Sequence, residues 1–127
     1  MPERRIIADK LSSLLGALSH PCRIQIIEEL RDREKDVSEL QELLKISQSS
    51  VSQHLGILKS HHLVEVRGEG RHKYYHLSNE EVADWLLQGL SYVEEELIAV
   101  KEFNKTLKQA RKKWHVGKRH EHIEEGG

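Results

Sequence analysis

The sequence predicts a mainly α-helical fold with five helices and one small β-hairpin. Three observations predict it. Leucines near the start of the chain repeat at helical spacing, a serine-rich segment in the middle carries an apolar stripe, and a glycine-containing turn joins two short strand-like segments. With 127 residues, of which 37% are hydrophobic, the chain suits one domain with a modest core.

The first two helices are predicted from apolar spacing and from the proline between them. Helix one is expected over about residues 4–17, and Pro21 suits the first turn of helix two. The charged residues 31–36 are predicted to form a loop. The leucines that predict helix one are Leu11, Leu14, Leu15 and Leu18. The predicted buried stripe of helix two is Ile24, Ile27 and Leu30, with Ile26 on another face.

The third and fourth helices are predicted from their capping residues. Asp36 can cap helix three, with Glu39 as the reciprocal partner, and this helix is expected to end near Lys45. Ser47 can cap helix four. The buried stripe of helix four is predicted to be Val51, Leu55 and Leu58. Its opposite face is small, polar and free of acidic residues, and comprises Ser49, Ser52, Gln53, Gly56 and Ser60.

A hairpin and a long helix complete the prediction. Residues 63–66 and 73–77 are the expected strands, and residues 68–70 form the turn. The fifth helix is expected to begin after Asn79 and to continue without a break to Trp114. Its apolar residues follow a nearly seven-residue repeat, which suits packing against another helix. These residues are Val82, Leu86, Leu90, Val93, Leu97 and Val100.

Composition excludes several classes of protein. No stretch approaches the roughly 20 apolar residues of a membrane helix, and the start of the chain does not resemble a signal peptide. The single cysteine, Cys22, cannot form an internal disulfide and suggests a reducing compartment, which we expect to be the cytoplasm. The net charge is −1, but residues 45–76 carry 5 basic and 2 acidic groups, and residues 105–127 carry 7 and 3. Such segregation favours a polyanionic partner over uniformly solvated faces.

The two helices around Lys45-Ile46-Ser47, followed by a basic hairpin, predict a helix-turn-helix with a wing. Helix four would enter the DNA major groove, where short polar side chains can reach base edges. Its candidate contacts are Gln48, Ser49, Ser50, Ser52, Gln53 and His54. On the wing, Arg67, Arg71 and Lys73 would hold phosphates or the minor groove. A protein-interaction module with only nonspecific nucleic-acid binding is the alternative. No catalytic grouping predicts an enzyme.

These residues resemble the ArsR/SmtB-type winged-helix repressors over roughly residues 10–100. The resemblance implies a cytoplasmic homodimer that binds two-fold operator DNA as a repressor until a ligand or redox signal releases it. It also implies a dimer interface built from the first and last helices. Residues 1–104 would then form the winged helix-turn-helix domain, and residues 105–127 a basic, histidine-containing extension. The matching segments are residues 17–24 (ALSHPCRI), 47–55 (SQSSVSQHL), 63–64 (LV), 70–71 (GR) and 74–77 (YYHL).

The sequence departs from this family where many members bind metal. The third helix has no cysteine, and the positions of the other common site hold Asn79, Glu81, Tyr92 and Glu95, so neither site predicts tight zinc binding. His62 stands where a glycine commonly ends the recognition helix. Two other sensors are considered. Cys22 could respond to oxidation, or could simply be a buried core thiol. A non-standard nickel or zinc site could use the tail histidines His115, His120 and His122, or that tail could be only solvated.

Overall fold

A computed structural model describes the backbone of residues 1–126 and the side chains of residues 1–114. Within that part of the chain, none of the helices combines the length and the apolar character needed to cross a membrane. The elements in order are α1 (Pro2–Leu18), α2 (Pro21–Leu30), β1 (Lys35–Asp36), α3 (Val37–Leu44), α4 (Gln48–Ser60), β2 (Val64–Glu69), β3 (His72–Leu77), α5 (Glu81–Gly89), a 3₁₀ turn (Leu90–Tyr92) and α6 (Glu94–Gly126). The mainly helical fold with a wing is therefore confirmed.

Local capping sets the helix boundaries as predicted. Asp36 and Glu39 form a complete capping box, in which the backbone N–H of Glu39 donates to Asp36 Oδ1 at 2.8 Å. The hydroxyl of Ser47 accepts a hydrogen bond from the backbone N–H of Ser50 at 3.1 Å and caps α4. Lys45 ends α3 in the left-handed conformation, with φ 57°. These contacts join neighbours in sequence, so the residue types alone predict them.

Helix α4 ends just before His62, the position where a glycine is common in the resembled family. This residue has φ 59° and occupies the left-handed region in which glycine is most common. Histidine is one of the few other residues that tolerate this conformation. The backbone N–H of Leu63 then donates to the carbonyl of Leu58 at 2.9 Å, which closes the helix end. A histidine at this position therefore ends α4 in the conformation that the more usual glycine would adopt.

The sheet has three strands, not the two of the predicted hairpin. Its order is β1-β3-β2, and all pairings are antiparallel. Lys35 and Asp36, predicted as loop, pair with Tyr75 and Tyr74 of β3. Lys35 is almost fully buried, and its ammonium group donates to Asp32 Oδ1 at 2.6 Å and to the backbone carbonyl of Glu29. The prediction of a loop was wrong because the two residues of β1 are too few to show strand periodicity. Their pairing also depends on β3, which is distant in sequence.

The predicted fifth helix is interrupted, so the chain has six α-helices within the described backbone. The interruption is the 3₁₀ turn at Leu90–Tyr92, which follows Gly89. The N–H of Val93 donates to the carbonyl of Leu90 at 3.0 Å, a tighter pattern than the α-helix uses. The prediction was wrong here because the apolar repeat continues through the turn. Gly89, which weakens helices, was the only local signal.

The core belongs to the unit formed by Met1–Leu87, one of two compact units into which the chain divides. The predicted stripe of α4 is confirmed, since Val51, Leu55 and Leu58 are fully buried. The predicted stripe of α2 was partly wrong, because Ile26 is completely buried and Ile24 remains 40% exposed. Helix α2 contacts α1, α3, α4 and β3. These contacts cover the face of α2 that includes Ile26. The spacing of apolar residues within α2 could not decide which face of the helix is buried.

The other unit, Gln88–Gly127, contains most of the long C-terminal helix. Helix α6 exposes an apolar series at spacings of three and four residues, and α1 in the first unit exposes one at four-residue spacing from Ile7. An exposed apolar face of this kind marks a surface for another protein chain. The exposed apolar residues of α6 include Leu97, Val100, Phe103 and Leu107, and those of α1 are Ile6, Ile7, Leu11 and Leu15.

Candidate nucleic-acid interface

Helix α4 presents a polar face opposite its buried stripe. The side chains of Gln48, Ser49, Ser52 and Gln53 are exposed. Ser50 is half-buried because it takes part in the cap, with its hydroxyl 2.9 Å from that of Ser47. A helix with short hydrogen-bonding groups on an open face fits the major groove, where base edges differ between base pairs. The arrangement therefore has the chemistry needed for reading DNA sequence.

The wing is the β2–β3 hairpin, and its tip turns at Gly70, where φ is 61°. Arg71 and Lys73 are exposed near this tip. Among the side chains that the structure describes, neither forms an ion pair, so both cations are available to an incoming phosphate. Positively charged side chains on a thin hairpin can reach the DNA backbone without crowding the recognition helix.

Arg67, the third predicted wing residue, is already engaged. Its guanidinium donates to Glu34 and to Glu69, and it lies over the Tyr74 ring at 4.9 Å. The hydrogen bonds from Arg67 lower the pKa of Glu34, and the two carboxylates raise the pKa of Arg67. The residue therefore joins the wing to the segment before β1, which leaves it less free for DNA than Arg71.

His54 lies between α4 and α2 rather than on the open face of α4. Its ring centroid is 4.3 Å from that of His20, and its Nδ1 is 3.4 Å from Arg23 Nη1. Burial, followed by the positive charge that His20 can carry and that of Arg23, lowers the pKa of His54. His54 was predicted to contact DNA, but it is half-buried and in contact with a neighbouring helix.

The predicted sensor Cys22 lies in the first turn of α2 and is half-buried. Its backbone N–H donates to His20 Nδ1 at 3.1 Å, which makes His20 the N-cap of this helix. One donor atom from each of His20, Cys22 and His54 lies within 4.8 Å of the other two. Sequence spacing gives no signal for this grouping, because His54 is 32 positions from Cys22 and only the packing of α2 on α4 joins them.

The positions of the two metal sites that are common in the resembled family were predicted not to bind zinc tightly. Helix α3 carries no cysteine, and the side-chain oxygen of Asn79 accepts from the backbone N–H of Glu81 at 2.9 Å, as a cap for α5. Tyr92 is exposed within the 3₁₀ turn. These residues therefore do not fit a zinc site. His115, His120 and His122 lie outside the residues whose side chains the structure describes.

Comparison with known proteins decides the family. Residues 20–66 match the family described as "Bacterial regulatory protein, arsR family". The chain is also 37% identical over 97 residues to "HTH-type transcriptional repressor SmtB" of Mycobacterium tuberculosis, an alignment that spans 76% of this chain and 72% of that repressor. The chain belongs to the ArsR family. This ArsR-family chain is thus a winged helix-turn-helix transcriptional regulator and not an enzyme, as predicted.

Two further relatives support the fold of the ArsR-family chain. It is 44% identical over 69 residues to "Transcriptional activator HlyU" of Vibrio cholerae, in an alignment that covers 54% of this chain and 64% of that protein. The structure of reduced HlyU has a TM-score of 0.63 at 38% identity, and covers 71% of this chain and 97% of that one. The homodimeric winged helix-turn-helix DNA-binding domain of Mb0332 from Mycobacterium bovis has a TM-score of 0.67 at 28% identity. This match covers 76% of this chain and 90% of that one.

Proposed function

We propose that this ArsR-family chain is a homodimeric repressor that binds a two-fold related operator in the cytoplasm. The observation that carries the proposal is the open polar face of α4 opposite its fully buried stripe. The exposed members of the predicted set, Gln48, Ser49, Ser52 and Gln53, would contact base edges. Ser50 and His54 are half-buried and would hold α4 in position. Arg71 and Lys73 would bind the DNA backbone, and Arg67 would mainly fix the wing.

The exposed apolar faces support a homodimer. On α1, Ile7, Leu11 and Leu15 follow one another at four-residue spacing and are each at least half exposed. Helix α6 has a comparable series that begins at Leu97. Covering both with a second copy would remove apolar surface from water and stabilise the pair. The homodimeric Mb0332 domain is a precedent for this assembly.

Residues 1–104 would form the winged helix-turn-helix domain, and residues 105–127 would form a basic extension. This extension would add contacts with the DNA backbone to those that the domain makes. It holds 7 basic and 3 acidic residues, enough for a sequence-independent contribution to affinity. We propose repression because SmtB is named as a repressor, whereas HlyU is named as an activator and represents the alternative outcome. Oxidation of Cys22 or metal at the tail histidines would act as the releasing signal.

The test is DNA binding by fluorescence anisotropy with the full chain. The probe is the duplex immediately upstream of the protein's own gene, and a shuffled duplex of equal length and composition is the competitor. We expect the probe to bind at least a thousandfold more tightly than the shuffled duplex, as specific regulators do. Equal, strongly salt-dependent binding to both duplexes would instead support the protein-interaction module and contradict base readout.

A further inference from the structure

The cluster of His20, Cys22 and His54 joins the start of α2 to the middle of α4. One donor atom of each side chain lies within 4.8 Å of the other two, and all three residues are half-buried. The two imidazole rings are 4.3 Å apart between centroids and inclined at 44°. Neither DNA contact nor the hydrophobic core requires a thiol beside two imidazoles at this place.

A thiol and two imidazoles form the donor set that zinc and similar ions prefer. We propose that His20, Cys22 and His54 form a binding site for a divalent transition metal of the zinc type. Around a tetrahedral zinc ion the ligand atoms lie roughly 3.3–3.6 Å apart, so separations of up to 4.8 Å need to close by at most about 1.5 Å. Side-chain rotation supplies such a movement, and water would take the fourth position.

The hydrogen bonds of the two rings determine what metal binding changes. The backbone N–H of Cys22 and the guanidinium of Arg23 can only donate, so the Nδ1 atoms of His20 and His54 carry lone pairs. An ion bound at Nδ1 displaces these donors. An ion bound at Nε2 requires the proton to sit on Nδ1, which then cannot accept. Either mode therefore breaks both hydrogen bonds, and the Cys22 thiol releases its proton to solvent as the metal–sulfur bond forms.

Loss of the Arg23 contact alters how α4 is held. Arg23 Nε also donates to the carbonyl of Ala17 at 2.7 Å, so this side chain links the end of α1 to His54. With metal bound, His54 would instead be tied to His20 and Cys22 at the start of α2. Because α4 is the helix proposed to enter DNA, occupancy of the site should change operator affinity. This last step rests on the function proposed above, whereas metal binding itself does not.

The site is tested by titrating the reduced full chain with Co²⁺, whose absorption spectrum reports both tetrahedral geometry and thiolate ligation. We expect one equivalent to bind with a thiolate-to-cobalt charge-transfer band, and Zn²⁺ to displace it. The variants Cys22→Ser, His54→Gln and His20→Asn should each bind cobalt at least tenfold more weakly. Asparagine is a strong N-cap residue, so His20→Asn removes the imidazole while keeping α2 capped.

Two controls separate this cluster from other histidines. His72→Gln changes an exposed wing residue and should leave the titration unchanged. A triple variant, His115→Gln with His120→Gln and His122→Gln, should keep the charge-transfer band. Circular dichroism verifies that every variant is folded. The site is overturned if the band is absent, if it survives in Cys22→Ser, if His54→Gln or His20→Asn binds cobalt as tightly as the unmodified chain, or if the band is lost in the triple tail variant.

Operator binding with and without Zn²⁺ tests the coupling separately. We expect at least a fivefold change in affinity for the triple tail variant, and none when His54→Gln is added to it. Unchanged affinity in a chain with a normal cobalt spectrum would overturn the coupling and leave the site standing. Failure of the metal-free chain to prefer its operator would contradict the proposed function, while the cobalt spectrum would still decide the site.

Discussion

Arg67 on β2 and Glu34, 33 positions earlier, form a bidentate ion pair with Arg67 Nε 3.2 Å from Glu34 Oε2. The pair connects the wing with the segment that precedes β1, where Lys35 and Asp36 extend the sheet. Tyr74 packs under the same guanidinium and adds a cation–π contact. The wing is thus held by charge as well as by backbone pairing, while Arg71 and Lys73 near its tip form no ion pair among the described side chains.

The Glu34 contact predicts a pH dependence of stability. Arg67 holds the pKa of Glu34 below its usual value of 4.5, so the pair stabilises the folded state above that pH and its contribution disappears as the pH falls through the lowered pKa. Between about pH 6 and pH 3, the free energy of unfolding should fall more steeply in the native chain than in Glu34→Gln.

Urea unfolding at several pH values measures this difference. Glu42→Gln is the control, because Glu42 is exposed on α3 and forms no ion pair among the described side chains. It should show the same pH dependence as the native chain. If the free energy of unfolding changed with pH equally in the native chain and in Glu34→Gln, that result would contradict a stabilising role for the ion pair.

The two wing arginines should respond differently to removal. Arg71→Ala removes a free cation near the tip, so we expect weaker binding to all DNA sequences and a salt slope, log K against log salt, reduced by about 1. Arg67→Ala should change that slope less and should lower the free energy of unfolding, because its charge is shared with Glu34 and Glu69.

Anisotropy at several salt concentrations, with urea unfolding of both variants, provides the measurement. A larger change of slope for Arg67→Ala than for Arg71→Ala would show that the Glu34 pair opens on DNA, contrary to this prediction. A loss restricted to the operator in Arg71→Ala would also contradict it, since phosphate contacts carry no sequence information.

Gln53 should contribute to sequence recognition, because it is exposed on the polar face of α4. Gln53→Ala should weaken operator binding by about 1–3 kcal/mol and relax specificity at the base that it contacts. Lys59→Ala, an exposed change in the last turn of the same helix, is the comparison variant for a general effect on α4. An equal loss on operator and shuffled duplex for Gln53→Ala would rule out base readout by this side chain.

The apolar face of α1 should control assembly. Leu11 is 55% exposed in the single chain, and Leu11→Glu would place a charge within the proposed dimer contact. We expect this variant to sediment as a monomer at concentrations where the native chain is a dimer, and to bind the operator at least tenfold more weakly. Asp9→Lys also changes a charge on α1 but lies about 160° around the helix from Leu11, so this variant should remain dimeric. Native-like sedimentation of Leu11→Glu would exclude Leu11 from the interface.

The sequence by itself determined the features that act over a few residues. The Asp36–Glu39 capping box, the Ser47 cap and the buried stripe of Val51, Leu55 and Leu58 all depend on spacing within one helix. The same holds for the basic wing. These features are sufficient to define the helix-turn-helix and its open polar face, because helix periodicity and capping chemistry are local properties.

Only the tertiary structure decided which distant side chains meet. The burial of Ile26 in place of Ile24, the pairing of Lys35 with Tyr75 and the engagement of Arg67 by Glu34 all depend on how the elements pack. The gathering of Cys22 and His54 follows from the same packing, since α2 and α4 are separate in sequence. Such contacts form when buried surfaces are matched between elements, and a periodicity read within one element does not contain that information.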